Sequence, residues 1–310
     1  LTHHQRQQLA NALGQLSSRS LAGEVIEART GEHPVCPRCQ SAAVVKNGSA
    51  SGLQRYKCHQ CQRSFNALTG SPLAHLHLRG KWAAHAQALS QSLSLNQVAR
   101  TLQVAQSTAF RWRHRFLSLP NGQQAISLAG IAEADETYFL ESQKGRRQGL
   151  SRAPRKRGGK ASKRGLSEEQ TAVLICRDRT GNTADFVLEK ADKAHIGAAL
   201  KPLLAADVIL CTDGEKALAA VAKEMGITHR PVNLAAGQRV VAGVYHVQNV
   251  NAYDSRLKEW IRRFHGVATR YLGNYLGWRR LIERHDRDIS SDDFLRAALG
   301  IDGVQHAMGT

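Results

Sequence analysis

Val208-Ile209-Leu210-Cys211-Thr212-Asp213-Gly214 is an apolar run of strand length that ends in a carboxylate and a glycine. Bounded by that turn signal, it reads as a short buried strand. Helical periodicity flanks it, over 193–204 on one side and 216–225 on the other. Residues 126–139, 171–177 and 184–188 read as strands, the last two joined by a turn at Arg179-Thr180-Gly181-Asn182. Residues 229–233 read as a further strand, 249–265 as a strongly basic helix, and 267–284 as helical. Strand, strand, strand, helix, strand, helix, strand, helix is the order of an α/β fold with a mixed sheet flanked by helices.

Three segments of this region carry oxygen donors. Asp213 ends its strand, the common place for a catalytic carboxylate at the carboxyl edge of a sheet. Asp135 lies in Ile131-Ala132-Glu133-Ala134-Asp135-Glu136-Thr137-Tyr138, where strand alternation puts Glu133 and Asp135 on one face. Asn251, Asp254 and Lys258 fall at i, i+3 and i+7, one face of a helix. An Asp at a strand end is by itself usually a turn residue. Two carboxylates and an amide oxygen from converging elements suffice for magnesium or manganese, which prefer oxygen ligands. Two such ions could activate an attacking oxygen and stabilise a leaving one, with Lys258 facing a phosphate.

The amino-terminal third is different. Cys36-Pro37-Arg38-Cys39 and Cys58-His59-Gln60-Cys61 are separated by eighteen residues. Two residues between thiols lets both sulfurs of a turn reach one ion, so the four predict a structural zinc ribbon over 33–70. His59 reads as a spectator, because the cysteines already fill four positions. Residues 78–117 are helical in pattern with an interruption near Gln103, and Ser94 is placed to cap. A helix-turn-helix over 75–119 follows, with Arg111, Arg113 and Arg115 on the helix that would meet DNA. The glycine usual in such a turn is absent, and Gln103 stands there.

Composition points the same way. The 310 residues carry 43 Lys and Arg against 25 Asp and Glu, a formal charge of +18. A pI near 10.1 favours a polyanion, nucleic acid first. With 42% hydrophobic residues the chain supports a real core. There is no apolar run of the roughly 18 residues that would span a bilayer, and the polar start reads as free of a signal peptide. Paired cysteines with Cys176 and Cys211 alone in apolar runs suit a reducing cytoplasm. Residues 143–166 hold ten Lys or Arg and no acid. This glycine-rich insert, 142–168, is expected to contact phosphates, with Arg155, Lys156 and Arg157 in it and Arg262 and Arg263 on the later basic helix. Trp260, Phe264, Tyr271, Tyr275 and Trp278 are assigned to the core. Residues 1–32 form a helical lead, Pro120-Asn121-Gly122 a linker, 125–285 the α/β unit, and 286–310 a tail.

The zinc ribbon, the helix-turn-helix, Glu-Ala-Asp-Glu-Thr-Tyr, Cys-Thr-Asp-Gly and the run Tyr245-His246-Val247-Gln248-Asn249-Val250-Asn251-Ala252-Tyr253-Asp254-Ser255-Arg256-Leu257-Lys258-Glu259-Trp260 together resemble the insertion-sequence transposases numbered family fifteen-ninety-five. The resemblance covers about residues 33–285. It implies a ribonuclease H-like catalytic core of the DDE type, with Asp135 and Asp213 as metal ligands, Asn251 in the third place and Lys258 seven residues on. Many members carry Glu where this sequence has Asn251; Asp254 and Glu259 are the nearest carboxylates. It implies binding of double-stranded DNA, both terminal inverted repeats and target, as a homo-oligomer near the nucleoid, followed by strand cleavage and transfer. A regulator with an inactive core and a structure-specific nuclease are the other functions such a chain could serve.

Overall fold

The computed structural model describes residues 5, 22–146, 148–153, 155, 159–162, 167, 169–233 and 236–301. Two compact units form, one from Leu1–Gln123 with Leu281–Thr310 and one from Gln124–Arg280.

The first unit starts, among the described residues, with helix α1 at 22–28, which buries Ala22, Val25 and Ile26. The cysteine module is a three-stranded antiparallel sheet of β1 (Val44–Ala50), β2 (Leu53–Cys58) and β3 (Ser64–Asn66). The third strand escapes sequence reading because it is three residues long. Next come α2 (Trp82–Ser90), α3 (Leu95–Leu102), α4 (Gln106–Phe116) and α5 (Ser118–Gly122). The helical stretch breaks twice rather than once: Ser94 stops the run after α2 and opens α3 with a capping box to Gln97. At the second break Gln103 is left-handed, φ 50° and ψ 56°. Trp82, Leu89, Val98, Leu102, Trp112 and Phe116 fill the core. Pro120 belongs to α5 rather than to a linker, because proline is tolerated in a helix's first turn, where its missing N–H has no partner to lose.

The second unit is a five-stranded sheet in the order β6-β5-β4-β7-β8. Its strands are β4 (Ile131–Leu140), β5 (Gln170–Asp178), β6 (Thr183–Leu188), β7 (Ile209–Thr212) and β8 (Thr228–Pro231). Pairings β4–β5 and β5–β6 are antiparallel, and β4–β7 and β7–β8 are parallel. The fold is therefore the expected mixed sheet, with residues 126–130 lying outside the strand assigned to them. Helices α6 (Lys193–Leu200), α7 (Lys216–Met225), α8 (Gln248–Arg262) and α9 (Leu272–Arg284) complete the order. Ala132 and Ala134 of β4 pack with Ile196, Leu200, Leu218 and Val221 of α6 and α7 in one apolar layer. Alternation sends Glu133 and Asp135 the other way, toward α8. Trp260, Phe264, Tyr275 and Trp278 pack together in the core, edge to face or tilted, with ring centroids 5.0–6.3 Å apart.

The segment read as a tail is a helix. In α10 (Ser291–Leu299), Ser290 and Asp293 form a capping box, and Phe294, Leu295 and Leu299 are buried. It packs against α2 and α5 in the first unit. The remaining residues 302–310 lie outside the described residues, as do most of 1–21.

Candidate functional site

The parallel register of β4 and β7 decides the site. Glu133 lies beside Cys211, and the same register two residues further sets Asp135 level with Asp213. There β7 turns away: Asp213 Oδ1 accepts Glu215 N–H at 3.0 Å, and Thr212 Oγ1 accepts Gly214 N–H at 3.1 Å. Gly214 has φ +91°, which only glycine adopts without strain. The turn leaves Asp213 exposed at the edge of the sheet, while Asp135 is half-buried.

The other face of the site comes from α8. Lys258 Nζ lies 2.8 Å from Asp254 Oδ2, and Asp254 Oδ1 is buried with no hydrogen-bond partner. Burial pushes the Asp135 carboxyl up to about 7, helped by the charges of Asp213 and Asp254 and opposed by the Glu136 N–H and Lys258. Burial, then Glu215, Asp135 and Asp213, push Glu136 up to about 8. Asp135 therefore feels the charges of Asp213, Asp254 and Lys258. Asn251, half-buried, stands one turn before Asp254 on the same helix, and Glu259 is exposed. Asp254 is thus the α8 carboxylate that acts on Asp135.

The cysteines converge as their spacing predicts. Cys36 and Cys61 sulfurs are 3.6 Å apart, as are those of Cys39 and Cys58. Four sulfurs about 2.3 Å from a central zinc would sit about 3.8 Å apart, so the set fits a structural zinc. Backbone N–H groups, that of Cys61 first, hold the Cys58 thiol down to about 6. Among the described residues these thiols are the one group of three or more Cys, His, Asp and Glu whose donor atoms all lie within 4.8 Å.

The arginines expected to meet DNA divide. Arg111 is exposed. Arg113 is 1% exposed and donates through Nη2 to Leu93 O at 2.6 Å, so it fastens α4 inside its own unit instead of facing solvent. Arg115 donates to Pro72 O and, at 2.9 Å, to Ala74 O. In the insert, Arg152 pairs with Glu141 at 2.8 Å, and Arg155 lies 3.9 Å from the same carboxylate. Lys156 and Arg157 lie outside the described residues. Arg262 and Arg263 are exposed at the end of α8. A cavity of about 1210 Å³ is bordered by Lys144, Arg146, Arg152, Arg155, Lys160, Lys258 and Arg262, with Glu141 the one acid among the described residues that line it. No helix of the described residues is long and apolar enough to cross a membrane.

Sequence reading passed over the group that joins the two faces. Glu133, 1% exposed, accepts the Val250 N–H of α8 at 2.9 Å and pairs with Arg179. The signal was a second acid on the face of Asp135, two residues before it in the same strand.

Residues 127–279 match the ISXO2-like transposase domain, and residues 35–62 the InsA N-terminal domain, a zinc ribbon. An "Uncharacterized protein in transposable element ISH50" from Halobacterium salinarum is 28% identical over 265 residues, 84% of this chain and 89% of that protein. Two solved structures are also similar. The pre-cleavage Mos1 transpososome matches at 13% identity over 71% of this chain and 75% of that chain, with a TM-score of 0.28. The Mos1 transposase paired-end complex with left transposon end matches at 15% over 66% and 76%, with a TM-score of 0.20.

Proposed function

We propose, from the match of residues 127–279 to the ISXO2-like transposase domain, that this chain binds the ends of its own element and carries out metal-dependent DNA cleavage and strand transfer. The observation that carries this reading is that the β4–β7 pairing ends two residues before both Asp135 and Asp213, and that Asp135 feels the charges of Asp213 and of Asp254 and Lys258 from α8. We read the sheet, three antiparallel strands extended by two parallel ones, as ribonuclease H-like.

The residues fit a divalent cation. Asp135 is a half-buried carboxylate beside two others, and one oxygen of Asp254 is buried without a partner. A cation relieves both the repulsion and the missing bond. Asp135 and Asp213 would hold it, with Asp254 or the Asn251 amide as the third donor, and the unpartnered oxygen favours Asp254. Two magnesium or manganese ions would supply Lewis-acid stabilisation of the phosphodiester oxygens. Lys258 neutralises a phosphate next to the reacting one. The basic cavity beside Lys258, with Arg155 and Arg262, follows the backbone of the strand. Water opens the phosphodiester to give a 3′-hydroxyl, and that hydroxyl attacks target DNA. Helices α3 and α4 act as a helix-turn-helix presenting Arg111, the zinc ribbon adds to recognition of the element ends, and the active form is a homo-oligomer on DNA in the nucleoid.

The test is incubation with element-end DNA and manganese. Nicking that disappears in Asp135→Ala supports the proposal; no nicking by the wild type, or nicking that survives Asp135→Ala, overturns it. The neutral Asn251 favours one other reading, a DNA-binding regulator with an inactive core. That protein would bind element ends specifically and leave them uncut in any metal.

A further inference from the structure

We infer that Glu133 is a positioning residue: its single buried carboxylate fixes the start of α8 against β4, and so sets where Asp254 and Lys258 stand relative to Asp135 and Asp213. The inference deepens the proposed strand-cleaving reading and rests on it for its activity measurements.

Helix α8 begins without a cap of its own. Val247 stands at the N-cap and offers no side-chain oxygen, so the first N–H groups need partners from elsewhere. Val250 N–H donates to Glu133 Oε2 at 2.9 Å, across 117 residues of chain. Gln248 N–H donates to His246 Nδ1 at 3.3 Å. Arg179 joins the two acceptors. Its Nη1 pairs with Glu133 Oε1 and lies 3.0 Å from His246 Nδ1, while its Nη2 donates to Val244 O at 2.9 Å. Arg179 is itself held by the turn between β5 and β6, where Asp178 Oδ1 accepts the N–H groups of Thr180 and Asn182, both at 3.0 Å.

The geometry makes this a reference point for the site. Glu133 precedes Asp135 by two residues and shares its strand face. Val250 precedes Asp254 by four residues and Lys258 by eight, so all three fall along one side of a rigid helix. A shift at the first turn is carried to both functional side chains with little loss. Misplacement by about 1 Å costs roughly a hundredfold in rate when groups must meet a reacting centre. A buried ion pair contributes little net stability, and its known use is to specify geometry. That is the role assigned to Glu133 and Arg179, whose bonds run to the start of α8 and to each other.

The experiment uses the full chain, with element-end DNA and manganese as probes. In Glu133→Gln, single-turnover cleavage should fall about 10- to 100-fold, as for groups that orient metal ligands. Affinity for uncut end DNA should stay within about twofold, because the cationic contacts to phosphate are unchanged. The manganese concentration for half-maximal rate should rise, and amide exchange at Val250 should quicken. Arg179→Lys, which keeps the charge and loses the fork, should reproduce the pattern. If Glu133→Gln does not fold, Glu133→Asp, which keeps the charge one methylene short, gives the same measurement. A rate that falls only in step with the folded fraction, with manganese dependence and Val250 exchange unchanged, overturns the inference. A wild type that never cleaves overturns the function instead, and exchange at Val250 still decides whether Glu133 pins the helix.

Discussion

Lys258 Nζ and Asp254 Oδ2 stand 2.8 Å apart, one turn from each other on the same face of α8. The contact occupies one oxygen of Asp254 and leaves the other buried and unpartnered. Asp254→Asn should therefore weaken manganese binding by about 10- to 100-fold, a loss typical of disturbed metal surroundings. Glu259→Gln, on an exposed side chain, should bind as the wild type does. Titration calorimetry with manganese separates the two, and a wild-type affinity in Asp254→Asn returns the third place to Asn251.

Acidity at the sheet edge gives a stability signature. Burial raises Asp135 to about 7 and Glu136 to about 8. The folded chain thus holds these protons more tightly than the unfolded chain, whose carboxyls titrate near 4. Their contribution is fully present below about pH 4 and is lost as pH rises through 7 and 8. Without magnesium, thermal stability should decline across that window. Asp135→Asn should recover about 2–4 °C in Tm at pH 9 and little at pH 5. Magnesium should stabilise the wild type more at pH 9 than at pH 5, because the ion binds the ionised carboxylates. Calorimetric melts at the two values check both signs.

The basic insert should govern salt dependence. Each phosphate contact contributes about 0.9 to the slope of log affinity against log salt. Deleting residues 144–164 should flatten that slope by several units in a filter-binding or anisotropy series. An unchanged slope would place the DNA elsewhere.

Gln103 should respond to substitution in the opposite sense from most residues. It holds a left-handed conformation at the turn between α3 and α4, where Lys81 Nζ donates to its carbonyl at 3.3 Å. A residue with a Cβ is strained there by roughly 1–2 kcal/mol. Gln103→Gly removes the strain and keeps the carbonyl, so it should stabilise by about 0.5–1 kcal/mol after the entropy of glycine is counted. Urea denaturation measures it.

The strands and helices of residues 124–280 were legible because each follows one period, and the Asp213-Gly214 turn announces where β7 ends. The zinc ligands were legible because metal spacing is local. What escaped depends on packing. Arg111, Arg113 and Arg115 look alike in sequence; only the approach of Leu93 buries Arg113. Pro120 was taken for a breaker, although a helix starting two residues earlier accommodates it. The apolar set Phe294, Leu295 and Leu299 behind Ser290 and Asp293 was readable as a capped helix, yet its partner α2 lies two hundred residues back. Glu133 differs from Asp135 by two positions and a methylene. That Glu133 is the one to meet a helix start is set by where α8 begins.

The last helix has a bearing on how the protein is made. Its residues complete the unit begun by the first 123, with the whole five-stranded unit threaded between. On the ribosome, the ribbon and helical hairpin emerge long before α10, and until it arrives the side of α2 that packs on α10 has no cover. A translation product cut short ahead of Ser290 therefore lacks a finished amino-terminal unit. A complete amino-terminal unit therefore exists only in molecules that have already synthesised the five strands between its two parts.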